Sequence, residues 1–444
     1  MNFNQALSYL LSLGHETLTI KLGLHNTETL LAALGDPQKD FPAVQIAGTN
    51  GKGSTAAMLD SICRAAGIRT GLFTSPHLIS ITERIKIDGT QISEDEFALD
   101  TSAVQEKATE LVAGRSLETL PTFFEHLTAI ALLAFSEARV ELALLETGLG
   151  GRLDSTTAAE ADVVAITPIA MDHEDYLGST INDIAAEKAA IIRTGVRAVI
   201  APQLPEALDV IYRRCEEVGV RPVVIGSQVR SRICNVSVDG QCQITIETPN
   251  ATYEAIQLGL RGRHQVDNAL VAVALAEILR ERGFNISTQA IVSGLQTATH
   301  AGRLELWNGS PPILFDGAHN PASAQALRNY LDEFVKRPLT IIFGAMKDKR
   351  LSEMAAALFP RADQLILSEM DNLRAAKLED LIASVPASLD KKMKTVSNVN
   401  EALTTAQQIT PPDGLICITG SLYLIGSAQA ILNSRVHRVA HQQT

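Results

Sequence analysis

The segment Val44–Thr55, VQIAGTNGKGST, constrains this chain more than any other stretch. An apolar run meets three glycines, a lysine and two hydroxyl residues, and the helix-compatible Ala56-Ala57-Met58-Leu59 follows. A strand that turns sharply into a helix favours glycine at the turn, where backbone N–H groups can approach an anion closely. The N-terminus of the helix adds positive potential at the same place. Lys52 can reach β- and γ-phosphates, and Ser54 or Thr55 can offer a hydroxyl to Mg²⁺. The strict Walker spacing is not met, because Gly53 stands between the lysine and the first hydroxyl. The plainer alternative is a Gly-rich turn without a ligand. Three glycines, a lysine and two hydroxyls after an apolar strand favour a phosphate loop built from Gly48, Thr49, Asn50, Gly51, Lys52, Gly53, Ser54 and Thr55.

Such a loop belongs in a parallel α/β sheet, and the rest of the chain agrees. Short apolar runs at Ala43–Ala47, Glu141–Leu145, Val163–Thr167, Ala198–Ala201, Ile313–Phe315, Leu339–Phe343 and Leu415–Thr419 alternate with amphipathic stretches. That alternation predicts parallel strands covered by helices on both faces. Between Val220 and Ile256 the period changes to two, with Asp239-Gly240 as a turn, which predicts a small antiparallel insertion. A helix is expected over Asn268–Arg282, and the polar Thr297–Gly302 reads as a linker. The expected organisation is a large P-loop-type ATP-binding domain, residues 1–298, and a smaller Rossmann-like α/β domain, residues 299–444. A length of 444 residues supports two or three such cores.

Composition excludes several classes. Thirty-eight Lys and Arg against 50 Asp and Glu give a net charge of −12, which argues against a nucleic-acid partner. The five cysteines are scattered without a CxxC pair, as expected of reduced thiols. The N-terminus lacks a basic region before its apolar stretch, and no apolar run approaches the ~20 residues of a membrane span. A soluble, cytoplasmic monomer without membrane partners is the expectation.

Acids and histidines mark further strand ends. Glu146 ends an apolar strand, and a carboxylate at that edge beside a phosphate loop is placed to bind Mg²⁺. His173 follows another strand and could ligate metal through a neutral imidazole, or equally serve no ligand. Its neighbours Glu174 and Asp175 read as a solvated acidic turn. Lys188 sits in the apolar part of a helix, either as a snorkelling lysine or as one directed at phosphate or modified. Asp316 and His319 end the strand Ile313–Phe315, ahead of Pro321 in the first turn of the next helix. Strand ends from two domains would then converge on one cleft.

Taken together these motifs resemble the folylpolyglutamate synthase/dihydrofolate synthase family of the Mur ligase superfamily. The resemblance rests on Gly48–Thr55, Phe73–Leu78, Glu83–Ile85, Glu146–Asp154, Met171–His173, Gly302–Glu305, Asp316–Pro321, Lys347–Lys349 and Thr419–Gly426, in order along the chain. It implies an ATP-dependent amide ligase that activates a pterin carboxylate as an acyl phosphate and couples it to L-glutamate. The implied substrates are dihydropteroate and reduced folates, with one site for both activities. Carried over by position, Ser54, Glu146 and His173 would ligate Mg²⁺. Lys188 matches a lysine that the family carbamylates to support a second Mg²⁺; a monovalent cation is left open. Asn268, Arg303 and Asp316 match nucleotide contacts, and His319 matches a histidine near the γ-phosphate. Ser75, Pro76, His77, Arg84, Phe124 and Arg152 match the substrate side. Thr157 departs from the pattern, standing where the family commonly has Asn. A cell-wall Mur ligase fits less well, since only 47 residues precede Gly48, too few for a UDP-binding domain. A non-catalytic nucleotide switch would have no use for Asp316 and His319.

Overall fold

Fully apolar strands need cover on both faces, and the fold supplies it twice. The structure, a computed structural model, describes residues 1–14, 23–386 and 393–442. The first sheet has eight strands, in the order Thr90–Gln91, Ile85–Ile87, Thr70–Phe73, Leu142–Glu146, Ala43–Ala47, Val163–Ile166, Arg197–Ile200 and Val223–Val224. Its six later-named strands run parallel, and the two at the Thr90 edge are antiparallel. All five residues of Ala43–Ala47 and of Leu142–Glu146 are buried. Each buried Val, Leu or Ile side chain contributes roughly 1.5–3 kcal/mol, so these central strands anchor the loops that leave their C-terminal ends.

The second sheet has six strands, in the order Glu305–Trp307, Ile313–Asp316, Leu415–Thr419, Leu339–Phe343, Gln364–Ser368 and Met393–Val396. Only Glu305–Trp307 is antiparallel within it. A third, antiparallel sheet of Thr252–Arg261, Gln241–Glu247 and Arg230–Val236 covers the side of the first domain. It shares one core with the helices Lys52–Ala65 and His264–Glu281.

The expected α/β class and the antiparallel insertion are present, with differences of physical origin. The insertion contains three strands, one of which extends to Arg261. The long helix begins at His264, four residues before the expected Asn268; its first turn is polar and Arg263 provides no side-chain cap, so no start signal marked it in the sequence. The edge strands Ile85–Ile87 and Thr90–Gln91 escaped the periodicity argument because they hold only three and two residues. Their turn, Asp88-Gly89, has φ of 50° and 79°, a tight-hairpin signal that was available in the sequence. Among the described residues no helix is long and apolar enough to cross a membrane. All five cysteines are free thiols, and only Cys234 is exposed.

Candidate active site

The C-terminal ends of both parallel sheets open onto one cleft of about 370 Å³. Its first wall is the turn after Ala43–Ala47. The N–H groups of Thr49 and Asn50 donate to Pro168 O at 3.0 and 3.1 Å, and Thr49 Oγ1 donates to Ala170 O at 3.1 Å. The loop is thus stitched to the segment after the neighbouring strand. Gly51 has φ +87°, and a Cβ there would lie 2.3 Å from Asn268 Oδ1, so only glycine serves. Lys52 Nζ folds back to Gly48 O at 3.1 Å and Thr49 O at 3.4 Å, held by backbone carbonyls and with no ion pair among the described residues. Lys188 reaches the same Gly48 carbonyl from behind, at 2.8 Å. Burial, and then the charge of Lys52, push its amine down to about 7.

Glu146 is buried beside the loop, and burial pushes its carboxyl above the usual range. Lys52, the Ser75 N–H, Arg303 and the Gly53 N–H oppose that push; the Ser75 contact is 3.1 Å. Ser54 Oγ lies 3.2 Å from His300 Nδ1 and accepts from Gln265 Nε2 at 3.4 Å. Gln265 in turn accepts from Asn268 Nδ2 at 2.8 Å. Thr55 Oγ1 is buried with no hydrogen-bond partner among the described residues.

The second wall carries Asp316, whose carboxylate accepts from the N–H groups of Leu304 and Ala318 at 3.0 and 3.1 Å. Burial raises its pKa, and Arg303 opposes that rise. Arg303 Nη1 donates to Gly317 O at 3.2 Å. His319 Nδ1 bonds the same carbonyl at 2.7 Å. Its Nε2 lies 3.5 Å from Asp172 Oδ2, which belongs to the first wall.

Asp172 joins the walls. It accepts from Lys349 Nζ at 2.5 Å, from Asn320 Nδ2 at 3.1 Å and from the His173 N–H at 2.9 Å. Burial alone would raise its pKa, but the hydrogen bond with His319 and the Lys349 ammonium hold it well below the usual range. Asn320 also donates to Asn50 Oδ1 at 3.0 Å. Arg350 forks onto Glu174 at 2.7 and 3.0 Å. Glu174, expected to be a solvated acid, is therefore half of an interdomain ion pair.

Of the residues singled out in the sequence, Thr49 to Ser54, Ser75, Pro76, Glu146 and His173 line the cleft from the first domain. Asn268 joins them from the long helix, and Arg303, Asp316 and His319 complete the lining from the second side. Gly48, Thr55 and Lys188 support the loop from behind. Five others lie off the cleft. Arg84 is buried, donates from Nε to His77 Nδ1 at 2.8 Å and sits 5.6 Å over the Phe123 ring. It braces the Ser75 loop, and His77 is its partner there. Phe124 packs where a Cβ on Gly148 would stand, 5.9 Å from the Phe73 ring. Arg152 pairs with Glu187 at 2.9 Å. Thr157 uses its hydroxyl to donate to Gly151 O at 2.7 Å and to accept from Gln45 at 2.8 Å, a structural role at the position of the departure.

His173 is neutral, because burial pushes its pKa down to about 3 against the pull of Asp172. Among the described residues no group of three His, Cys, Asp or Glu side chains stands close enough to hold a metal. Cleft residues to which sequence reasoning gave no role include Lys349, Arg374, His264 and Gln265, and it gave none to His300 behind Ser54. The Lys347–Lys349 run was visible but carried no periodic or strand-end signal, and His300 lay inside the presumed linker.

Two family models match: the Mur ligase middle domain over residues 46–276, and the Mur ligase glutamate ligase domain over residues 302–422. A Bacillus subtilis dihydrofolate synthase/folylpolyglutamate synthase is 36% identical over 410 residues, covering 91% of this chain and 94% of that protein. The Mycobacterium tuberculosis folylpolyglutamate synthase complexed with ADP superposes with a TM-score of 0.90 at 32% identity, covering 97% and 98% of the two chains. The Escherichia coli FolC structure in complex with DHPP and ADP gives a TM-score of 0.87 at 29% identity, covering 98% of each chain. The chain spans about half the length of two longer relatives it matches, 52% of one from Haloferax volcanii and 51% of one from Halobacterium salinarum. It belongs to the dihydrofolate synthase/folylpolyglutamate synthase family of the Mur ligases.

Proposed function

We propose that this chain is an ATP-dependent amide ligase that adds L-glutamate both to dihydropteroate and to the γ-carboxylate of reduced folates. The observation that carries the reading is the cleft itself. It faces a phosphate loop whose lysine is held by backbone carbonyls across to a second wall bearing Asp316, Arg303 and His319. A carboxylate is a poor electrophile until one oxygen becomes a leaving group. The substrate carboxylate oxygen attacks the γ-phosphorus of ATP, the bond to ADP breaks, and an acyl phosphate results. The glutamate amine then attacks the acyl carbon, loses a proton and expels phosphate. Lys52 and the loop N–H groups offset charge on the transferring phosphoryl. Asn268, Arg303 and Asp316 hold the nucleotide, and His319 stands at its terminal phosphate.

The residues present fit a divalent cation. Glu146 and Ser54 offer two hard oxygen donors, a carboxylate and a hydroxyl, and His173 adds a borderline imidazole nitrogen. The Thr55 hydroxyl, next in sequence to Ser54, is buried with no hydrogen-bond partner among the described residues. The cation would supply charge neutralisation at the phosphoryl group. The low pKa of Lys188 suits carbamylation, because the neutral amine is the form that attacks CO₂; the product would be a carboxylate for a second Mg²⁺. In this reading residues 1–298 form the ATP-binding domain and 299–444 the glutamate ligase domain, working as a cytoplasmic monomer. Ser75 and Pro76 meet the pterin substrate directly, while Arg84, His77, Phe124 and Arg152 shape that side from behind.

Mass spectrometry of products tests the reading. Purified protein, ATP, Mg²⁺ and L-glutamate are offered dihydropteroate in one tube and tetrahydrofolate in another. Glutamylated product in both is expected. Product in only one reduces the enzyme to a single activity, and none in either overturns the proposal.

A further inference from the structure

The peptide Thr297–Gly302 links the last helix of the first domain, Thr288–Thr297, to the first strand of the second sheet, Glu305–Trp307. Midway along it His300 turns back onto the phosphate loop. A Cβ built on Gly53 would lie 2.7 Å from His300 Cε1 and 3.1 Å from Glu146 Oε2. Imidazole and carboxylate therefore crowd the same loop residue, and glycine at 53 is what leaves them room. The ring's Nδ1 lies 3.2 Å from Ser54 Oγ, and Gln265 Nε2 approaches the same oxygen at 3.4 Å.

A hydroxyl has one proton and two lone pairs. Gln265 can only donate through Nε2, so it occupies one lone pair. We propose that His300 is a positioning residue: it accepts the Ser54 hydroxyl proton at Nδ1 and so aims the remaining lone pair at a divalent cation. The inference rests on the reading of Ser54 as a cation ligand. It gives a role to a residue in what reads as plain linker. The same short peptide runs on to Arg303, whose guanidinium lies at the Gly317 carbonyl, so one segment sets both a loop hydroxyl and a second-wall cation.

Three full-length proteins test it: the unsubstituted chain, His300→Phe and His300→Asn. Phenylalanine keeps a flat ring and removes the acceptor, while asparagine places an amide oxygen near the Nδ1 position. Free Mn²⁺ is followed by electron paramagnetic resonance with a non-hydrolysable ATP analogue present, and nucleotide binding without cation is followed by calorimetry. Loss of one hydrogen bond should weaken Mn²⁺ binding about five- to tenfold in His300→Phe. Cation-free nucleotide binding should be unchanged, and His300→Asn should bind Mn²⁺ as the unsubstituted chain does. Should the phenylalanine variant not fold, His300→Leu removes the acceptor with less bulk and is read the same way. Equal Mn²⁺ binding in all variants overturns the inference, as does an equal loss in the Asn and Phe variants or a matching loss of cation-free nucleotide binding. An unsubstituted chain that takes up nucleotide but no Mn²⁺ overturns the reading of Ser54 itself, which separates the two failures.

Discussion

The two walls of the cleft hold their lysines in opposite ways. On the first wall Lys52 is oriented by two backbone carbonyls, and among the described residues no carboxylate forms an ion pair with it, although its charge bears on the buried Glu146. On the second wall Lys349 is buried against the Asp172 carboxylate, with Asp348 also within 3.7 Å. One lysine is kept available for an anionic ligand; the other is committed to a carboxylate from the facing domain. The first wall is therefore built for phosphate, and the second is fastened to it. The fastening passes through Asp172, which also takes bonds from Asn320 and stands beside His319.

The largest effect should come from the first wall's lysine. Lys52→Ala removes the cation facing the transferring phosphoryl group, and turnover should fall on the order of a thousandfold. Steady-state product formation checks it, and near-normal turnover would erase the distinction between the walls. Asp172→Ala attacks the fastening. It leaves the Lys349 ammonium buried with only the Asp348 carboxylate, 3.7 Å away, and breaking one partner of a buried pair costs up to about 3–5 kcal/mol. Denaturant midpoints should show that loss, and adding Lys349→Met should recover most of it. A stable Asp172→Ala protein would mean that the second wall is held by other contacts.

The same contrast explains what could be read from sequence. The phosphate-facing part of the first wall is nearly contiguous: Gly48 to Ser54, then Glu146 at the end of the adjacent strand. Local pattern and strand order place such residues, so the phosphate loop and its acid were legible. The second wall draws Arg303, Asp316, His319, Lys349 and Arg374 from four separate connections, brought together by the order of the six-stranded sheet. Asp316 and His319 ended a recognisable strand and were found. Lys349 and Arg374 lie on loops whose positions depend on tertiary packing, and His300 sat in a stretch whose polar composition reads as linker. Arg84, matched to the substrate side by the resemblance, is buried with its Nε on His77 and its guanidinium over Phe123.

Lys188 sharpens the comparison by pH. Its amine is held at about 7 in the folded chain against 10.5 ordinarily, with burial as the main cause. A lowered lysine pKa means that the unfolded chain binds more protons across that window, so stability rises with pH between about 7 and 10.5. The slope from this one group is up to about 1.4 kcal/mol per pH unit. Unfolding free energies in CO₂-free buffer from pH 6 to 10 should show it, and Lys188→Met should flatten the rise. An unchanged slope in that variant would assign the pH dependence elsewhere. With CO₂ present, intact mass at neutral pH should show one added CO₂ on the unsubstituted chain and none on Lys188→Met.

The smallest effect belongs to the rim of the fastening. Arg350 and Glu174 form a forked pair across the cleft, but their side chains are 39% and 33% exposed. Water and salt screen such a pair, so its coupling should be about 0.2–1 kcal/mol and should shrink in high salt. A double-mutant cycle of Arg350→Met and Glu174→Gln, scored by denaturant midpoint, measures it against the coupling of Asp172 with Lys349. The buried pair, with both side chains under a tenth exposed, should exceed the rim pair severalfold and keep its value as salt is raised. If the two couplings come out equal, burial is not what distinguishes the centre of the fastening from its edge. The closure of the walls would then be shared evenly among Asp172, Asn320 and Glu174, with no hub.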